Sequence, residues 1–198
     1  MKFVGTILLS CLLWNCTTRE TAALSFDTIS AIEVEIGTAG LQQKGALLMF
    51  NNLPFNGYLV KYSQQGRLLS KTGYVEGKRE GMAEVYDESG NQIERRYFKA
   101  NKKVGFHQGW WPSGQKKFEY TFVDGLHHGE YREWQMDGKP YKEFHHEMGF
   151  EVGSQKMWDS DGSIRANYVV KNGHRYGLVG LKNCKSVESN GEFTAVPF

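Results

Sequence analysis

The sequence predicts an all-β fold, a single-layer, elongated antiparallel meander, and three co-phased ladders predict it. One glycine recurs every 24 residues at Gly57, Gly81, Gly105, Gly129, Gly153 and Gly177, and a second at Gly66, Gly90, Gly114, Gly138 and Gly162. An aromatic stands five residues after the first glycine each time, at Tyr62, Tyr86, Trp110, Trp134 and Trp158. Three registers held in phase this far mark a tandem repeat, with about five to six units between residues 45 and 177.

Each unit reads as two short strands and two turns. In the third, Phe106 to Trp111 is followed by the turn Pro112-Ser113-Gly114-Gln115, then Lys117 to Val123 and the turn Asp124-Gly125-Leu126. Phe118, Tyr120 and Phe122 alternate with Lys117, Glu119 and Thr121, a period of two that belongs to strands. Ala166, Tyr168 and Val170 repeat the phase, and Tyr74, Phe98 and Phe144 keep parts of it. Like positions of successive units should lie roughly 10 Å apart, two strand spacings, so the aromatics form a stripe.

The glycines divide by role. Asp124-Gly125, Asp137-Gly138, Asp161-Gly162 and Asn172-Gly173 are dipeptides of hairpin turns that need positive φ. Gly81, Gly105, Gly129 and Gly153 lead the aromatic-bearing strands, where a missing side chain is expected to let a ring lie over the backbone. On that reading Gly129→Val costs more than Gly109→Val.

The flanks are assigned in turn. Met1-Lys2 and the apolar run Phe3 to Trp14 read as a signal peptide over residues 1–15, too short in its apolar part to span a bilayer. Leu13-Trp14-Asn15-Cys16 resembles a lipobox, which makes Cys16 the acylated first residue of the mature chain. Cys11, after Leu8-Leu9-Ser10, is the other candidate. Residues 16–28 are then a tether, residues 29–44 a capping strand with alternation from Ile29 to Ile36, and residues 178–198 a C-terminal cap starting with a strand at Leu178 to Leu181. Leu47 to Phe50 reads as the second half of an incomplete first unit.

Composition narrows the function classes. The 198 residues are 40% hydrophobic and 14% aromatic, and the 23 glycines against 4 prolines call for many tight turns. A net charge of +2, with both signs interleaved, gives no electrostatic footprint for nucleic acid. Of three cysteines only Cys184 would remain beside a lipidated Cys16, so no disulfide framework is expected.

The unit from Asp124 to Lys139, with His127-His128-Gly129-Glu130-Tyr131-Arg132-Glu133-Trp134 at its centre, resembles the MORN repeat, and especially the bacterial variant found in YwqK-family antitoxins. Leu53-Pro54-Phe55-Asn56-Gly57-Tyr58, followed by Tyr62 and Gln65-Gly66-Arg67-Leu68, is similar to the entry into that array. The resemblance covers residues 45 to 177. It implies a sheet that contacts proteins or membranes and implies no catalytic residues.

No phosphate loop, Gly-x-Ser-x-Gly elbow, Cys-x-x-Cys or His-Glu-x-x-His is present, and nothing supplies an oxyanion site for Cys184 and His174. No enzyme activity and no cofactor are expected. Histidines crowd the long-turn edge, and His127, His128, His145 and His146 are the set to weigh for Zn or Cu. The ordinary reading is that basic residues before the glycine belong to this unit, as Arg79, Lys103 and Arg175 show, and no metal is expected. The candidate binding face is Tyr62, Tyr86, Trp110, Trp134 and Trp158 with Tyr120, Phe144 and Tyr168; the competing reading is that these rings only hold the sheet together.

These readings give an exported, non-catalytic lipoprotein of the cell-envelope membrane, its outer-membrane or periplasmic side, that binds a protein partner or the membrane surface. A YwqK-like antitoxin is the alternative, and it predicts a neighbouring toxin gene and activity without the signal segment. Glycan or cell-wall binding through the aromatic face is a third.

Overall fold

The computed structural model describes residues 24–180, together with the backbone of two short strands beyond them. The expected signal peptide, Cys11, Cys16, residues 17–23 of the expected tether, Cys184 and the side chains of the expected cap from residue 181 lie outside the described residues. Among the described residues every element is a strand: Glu33–Glu35 (β1), Leu41–Lys44 (β2), Leu47–Phe50 (β3), Leu53–Pro54 (β4), Gly57–Tyr62 (β5), Leu68–Val75 (β6) and Lys78–Tyr86 (β7). Next come Gln92–Lys99 (β8), Lys102–Lys103 (β9), Gly105–Trp110 (β10), Lys116–Val123 (β11), Leu126–Trp134 (β12) and Pro140–Glu147 (β13). Phe150–Glu151 (β14), Gly153–Trp158 (β15), Ile164–Lys171 (β16), His174–Leu178 (β17), Glu188–Ser189 (β18) and Glu192–Phe193 (β19) complete the series.

Fourteen strands form one sheet in the order β1-β5-β6-β7-β8-β10-β11-β12-β13-β15-β16-β17, with β9 paired to β8 and β14 to β13. All its pairings are antiparallel except β1 with β5, which is parallel. The same turn closes β5–β6, β7–β8, β10–β11, β12–β13 and β15–β16: Gly66, Gly90, Gly114, Gly138 and Gly162 each donate N–H to the carbonyl three residues back, at 2.8–3.0 Å. All five have φ between 76° and 89°, which explains glycine there.

Breaks in the ladder alternate. β7 and β12 run unbroken through their glycines, but three residues, Glu80-Gly81-Met82 and His128-Gly129-Glu130, oppose the single residues Gly73 and Thr121. These are bulges, and the left-handed backbone of Gly81 and Gly129 makes them. Gly105 and Gly153 instead follow full interruptions between β9 and β10 and between β14 and β15. The ring-over-backbone reason expected for these glycines does not hold at Gly129 or Gly153, where a Cβ would meet nothing within 4 Å. It holds at Gly109, whose Cβ would stand 2.6 Å from the Cζ of Phe118.

The N-terminal boundaries also differ from expectation. β2, β3 and β4 form a separate three-stranded sheet, so Leu47–Phe50 pairs with Leu41–Lys44 and is not half of a unit in the long sheet. It brings Leu48 and Phe55 against Val34 of β1, with Leu59 and Tyr74 packed alongside, and this is the apolar core of that end. Within residues 29–44, expected to hold one capping strand, two short strands form, Glu33–Glu35 in the long sheet and Leu41–Lys44 in the small one. At the other end the last strand of the sheet is His174–Leu178, not Leu178 to Leu181.

Residues 24 to 32 form a strap, although residues up to 28 were expected to be a tether. Ile32 accepts the N–H of Tyr58 at 2.7 Å, Asp27 donates its N–H to Glu80 at 3.0 Å, and Lys99 Nζ reaches the carbonyl of Ser25 at 2.8 Å. Phe26 stacks on Tyr97 with centroids 6.0 Å apart. The strap therefore crosses β5, β6, β7 and β8 on the face opposite the small sheet.

Candidate functional site

Register sorts the side chains onto two faces. Gly109↔Phe118, His107↔Tyr120 and Gly105↔Phe122 place the three rings of β11 together, and Tyr120↔Tyr131, Tyr131↔Phe144 and Gln155↔Tyr168 carry this ring face onward. A register shift falls immediately before each of Tyr62, Tyr86, Trp110, Trp134 and Trp158. Those five belong to the opposite, strap-bearing face. There Tyr62 OH meets Glu33 at 3.3 Å, Arg95 lies over Trp110 and Lys116 over Trp134. The expected single binding face of eight aromatics is thus two surfaces, with Tyr120, Phe144 and Tyr168 on one and the five-membered ladder on the other.

The ring face is a continuous run of contacts. Phe98, His107, Phe122, His127, Tyr131 and His146 follow one another with centroids 4.2–5.9 Å apart. Cations lie over it: Arg79 over Phe98, Arg96 over Phe118, Lys103 over Phe122, Lys142 over Tyr131 and Arg175 over Tyr168. In a single layer these long side chains do what a second sheet would, and Phe98, Phe118, Phe122 and Tyr168 are buried beneath them. Burial, with the charges of Arg96 and Arg79 nearby, holds the Lys103 amine below its ordinary value.

Glu133 is the polar centre of this face. Its Oε1 accepts hydrogen bonds from Tyr120 at 2.6 Å and from Tyr131, while Oε2 lies 3.3 Å from Lys142 Nζ. Burial would push this carboxyl up, but the two hydroxyls and the lysine outweigh it and hold it low and charged. Burial and the bond to Glu133 push the Tyr131 phenol up to about 12 and Tyr120 still further. Beside it a cleft of about 210 Å³ opens between Trp111, Trp134 and Tyr141, floored by Phe118 and Tyr120. Trp111 is fixed there by a 3.1 Å bond from its indole N–H to the carbonyl of Trp134. Sequence reading passed over Trp111, and it met Glu133 only among the charged residues Glu130 to Glu133 expected to set specificity.

The four histidines weighed for metal do not converge. His127 and His146 lie in the ring run, 5.4 Å apart. His145 lies on the strap face, its Nδ1 at 2.9 Å from the carbonyl of Ser154, and His128 Nδ1 accepts the N–H of Met148 at 3.4 Å. Among the described residues no group of three or more His, Cys, Asp or Glu is placed to hold a metal ion. Burial lowers His127 to about 4 and lowers His146 as well.

The strap face changes character along its length. A Cβ on Gly57 would stand 3.3 Å from the carbonyl carbon of Ile32, and one on Gly81 3.0 Å from Ile29 Cδ1. Gly73 and Gly105 are closed in the same way by Ile29 and Leu24. Gly57, Gly73 and Gly81 are accordingly buried, Gly105 is half-buried, and Gly129 and Gly153 are exposed. No protein-family model matches this chain, and no curated protein matches it either.

Proposed function

We propose that this chain is a non-catalytic binding protein of the cell envelope, whose sheet of five to six MORN-type hairpin units docks a protein partner or a membrane surface. In this reading Cys16 carries the lipid that holds it at the membrane. The observation that carries the proposal is the uneven cover of the sheet. β2–β4 cover its first end at β1, β5 and β6 on one face and the strap lies along the other, while Gly129 and Gly153 and the exposed side chains of Phe106, Val169, Tyr176 and Leu178 lie beyond that cover. Apolar surface left open beside a well-packed frame favours association.

The test is mass spectrometry of the mature N-terminus from membranes, followed by crosslinking in those membranes. An acylated peptide starting at Cys16 and a protein crosslinked through β10 to β17 are the expected results. An intact Met1 in a soluble cytoplasmic protein would overturn the envelope assignment.

The cleft at Glu133 favours a second reading, glycan binding. Indole rings stack on sugar faces and a fixed carboxylate accepts their hydroxyls. Wall fragments should then quench the fluorescence of Trp111, and a Trp111→Phe variant that keeps the full response would end this reading.

A further inference from the structure

We propose that the strap's path continues, over Gly129 and Gly153, as a docking track for an extended segment of a partner protein with apolar side chains spaced as in the strap. The inference rests on the protein-docking reading above and names the form the partner takes.

The two stretches of the face match residue for residue, two 24-residue periods apart. Glu80 and His128 each precede a bulge glycine, and each accepts the N–H of a turn residue, Ala100 at 2.9 Å and Met148 at 3.4 Å. Arg79 and His127 each offer a carbonyl to the next residue of those turns, Asn101 at 3.0 Å and Gly149 at 2.8 Å. Val104 and Val152 each donate N–H to the opposing strand, to Tyr97 at 3.0 Å and His145 at 2.9 Å.

The strap uses the first stretch through four contacts. Ile29 fills the space over Gly81, Asp27 bonds Glu80, Phe26 stacks on Tyr97 and Leu24 closes over Gly105. Their counterparts on the track are Gly129, His128, His145 and Gly153. Both glycines there are open, so a docked side chain would find the room that Ile29 and Leu24 fill. Because His128 Nδ1 accepts from Met148, its proton sits on Nε2, which would donate to a carbonyl of the docked segment. Phe106 and Val169, exposed at 44% and 48%, supply apolar surface on the same face.

The strap itself shows the chemistry that fits: apolar residues at the positions of Leu24, Phe26 and Ile29, with the backbone between them giving the polar contact. A second copy of this chain is a poor donor. Its strap already lies on its own sheet, and detaching it would expose the surface it covers.

A labelled synthetic peptide with the sequence of residues 24 to 32, carrying a photoreactive phenylalanine at the Phe26 position, is titrated against the full chain. Saturable one-to-one binding is expected, with crosslinks at His145 and Gly153. Val169→Lys, at an exposed position that leaves the fold intact, and His128→Leu should each weaken it tenfold or more, and a peptide with serine for Phe26 should not bind. Absence of saturable binding, crosslinks confined to Tyr97 and Gly81, or binding only after residues 1–23 are removed would each overturn the track. Partner crosslinks in membranes through other residues, without peptide binding, would retain the docking function and remove this site.

Discussion

Gln155 closes the gap in its strand with the backbone partners that His107 uses two 24-residue periods earlier. Both side chains are fully buried. Gln155 accepts the N–H of His145 at 3.2 Å and donates to the carbonyls of His145 at 2.9 Å and Val152 at 2.8 Å. His107 faces the matching groups, Tyr97 N–H at 3.1 Å, Tyr97 carbonyl at 2.9 Å and Val104 carbonyl at 3.1 Å, through one atom, Nε2. One imidazole nitrogen cannot donate and accept at once, and Nδ1 is buried without a partner. The amide therefore fits this gap better than the imidazole.

The first prediction concerns acid. Burial depresses the His107 imidazole from 6.5 to about 4. Between those values the unfolded chain binds the extra proton, so stability is complete above the upper one and falls as pH drops through the window. The loss from this residue is on the order of 3 kcal/mol. His107→Gln should stay within about 1 kcal/mol of the parent at neutral pH, because it makes the same class of bonds. In urea titrations from pH 7 to 4 it should hold more of its stability than the parent; equal loss in both proteins would mean His107 is not the group responsible.

The second reverses the cost expected at two glycines. Phe118 is buried, lies 4.6 Å from Tyr120 and sits under Arg96, so it cannot yield to a side chain at Gly109. Gly129 has open space and only its φ of 79° to protect it. Gly109→Ala should cost about 2–3 kcal/mol from overpacking, and Gly129→Ala about 1 kcal/mol from backbone strain. Chemical denaturation of the two variants side by side measures the order.

Strand content and turn positions were legible because each hairpin carries its own glycine and its own alternation. Face assignment was missed although alternation carries it: Trp110 lies three residues after His107 on β10, an odd step that turns it away from the ring face. What the composition does not announce is the register shift itself, whose extra residue, Lys117, lies on β11 without a partner on β10. Leu24, Phe26 and Ile29 were equally hidden, since the strap makes no strand and its contacts lie far away in sequence, as from Asp27 to Glu80. The alternation of gap and bulge did leave a trace: valine precedes Gly105 and Gly153, and a polar His107 or Gln155 follows two residues later, where the intervening units have Ala83 and Tyr131.

Glu133 should behave as a structural anion. Replacing it with Ala leaves the hydroxyls of Tyr120 and Tyr131 without their acceptor and Lys142 without its counter-charge, which should cost about 1–3 kcal/mol. A double-mutant cycle with Tyr131→Phe should show coupling of roughly 1 kcal/mol. Since the folded carboxyl titrates below its ordinary value, its contribution is present above that value and is lost as pH falls through the lowered one. A coupling energy that stays constant down to strongly acid pH would show that the hydroxyls do not depend on the charge.

The separation of the two faces can be read from truncations. Phe122 is 3% exposed among His107, His127 and the Lys103 stem, so Phe122→Ala opens a cavity in the ring run and should cost about 3–5 kcal/mol. Trp134 is half-buried on the other face, with Lys116 over its ring. Its loss forfeits part of one indole's burial, and Trp134→Ala should cost about 1–2 kcal/mol. Equilibrium unfolding of both variants decides the matter. Similar large losses would mean that the ladder is as much a core as the ring face, and its tryptophans would then be poor candidates for a contact surface.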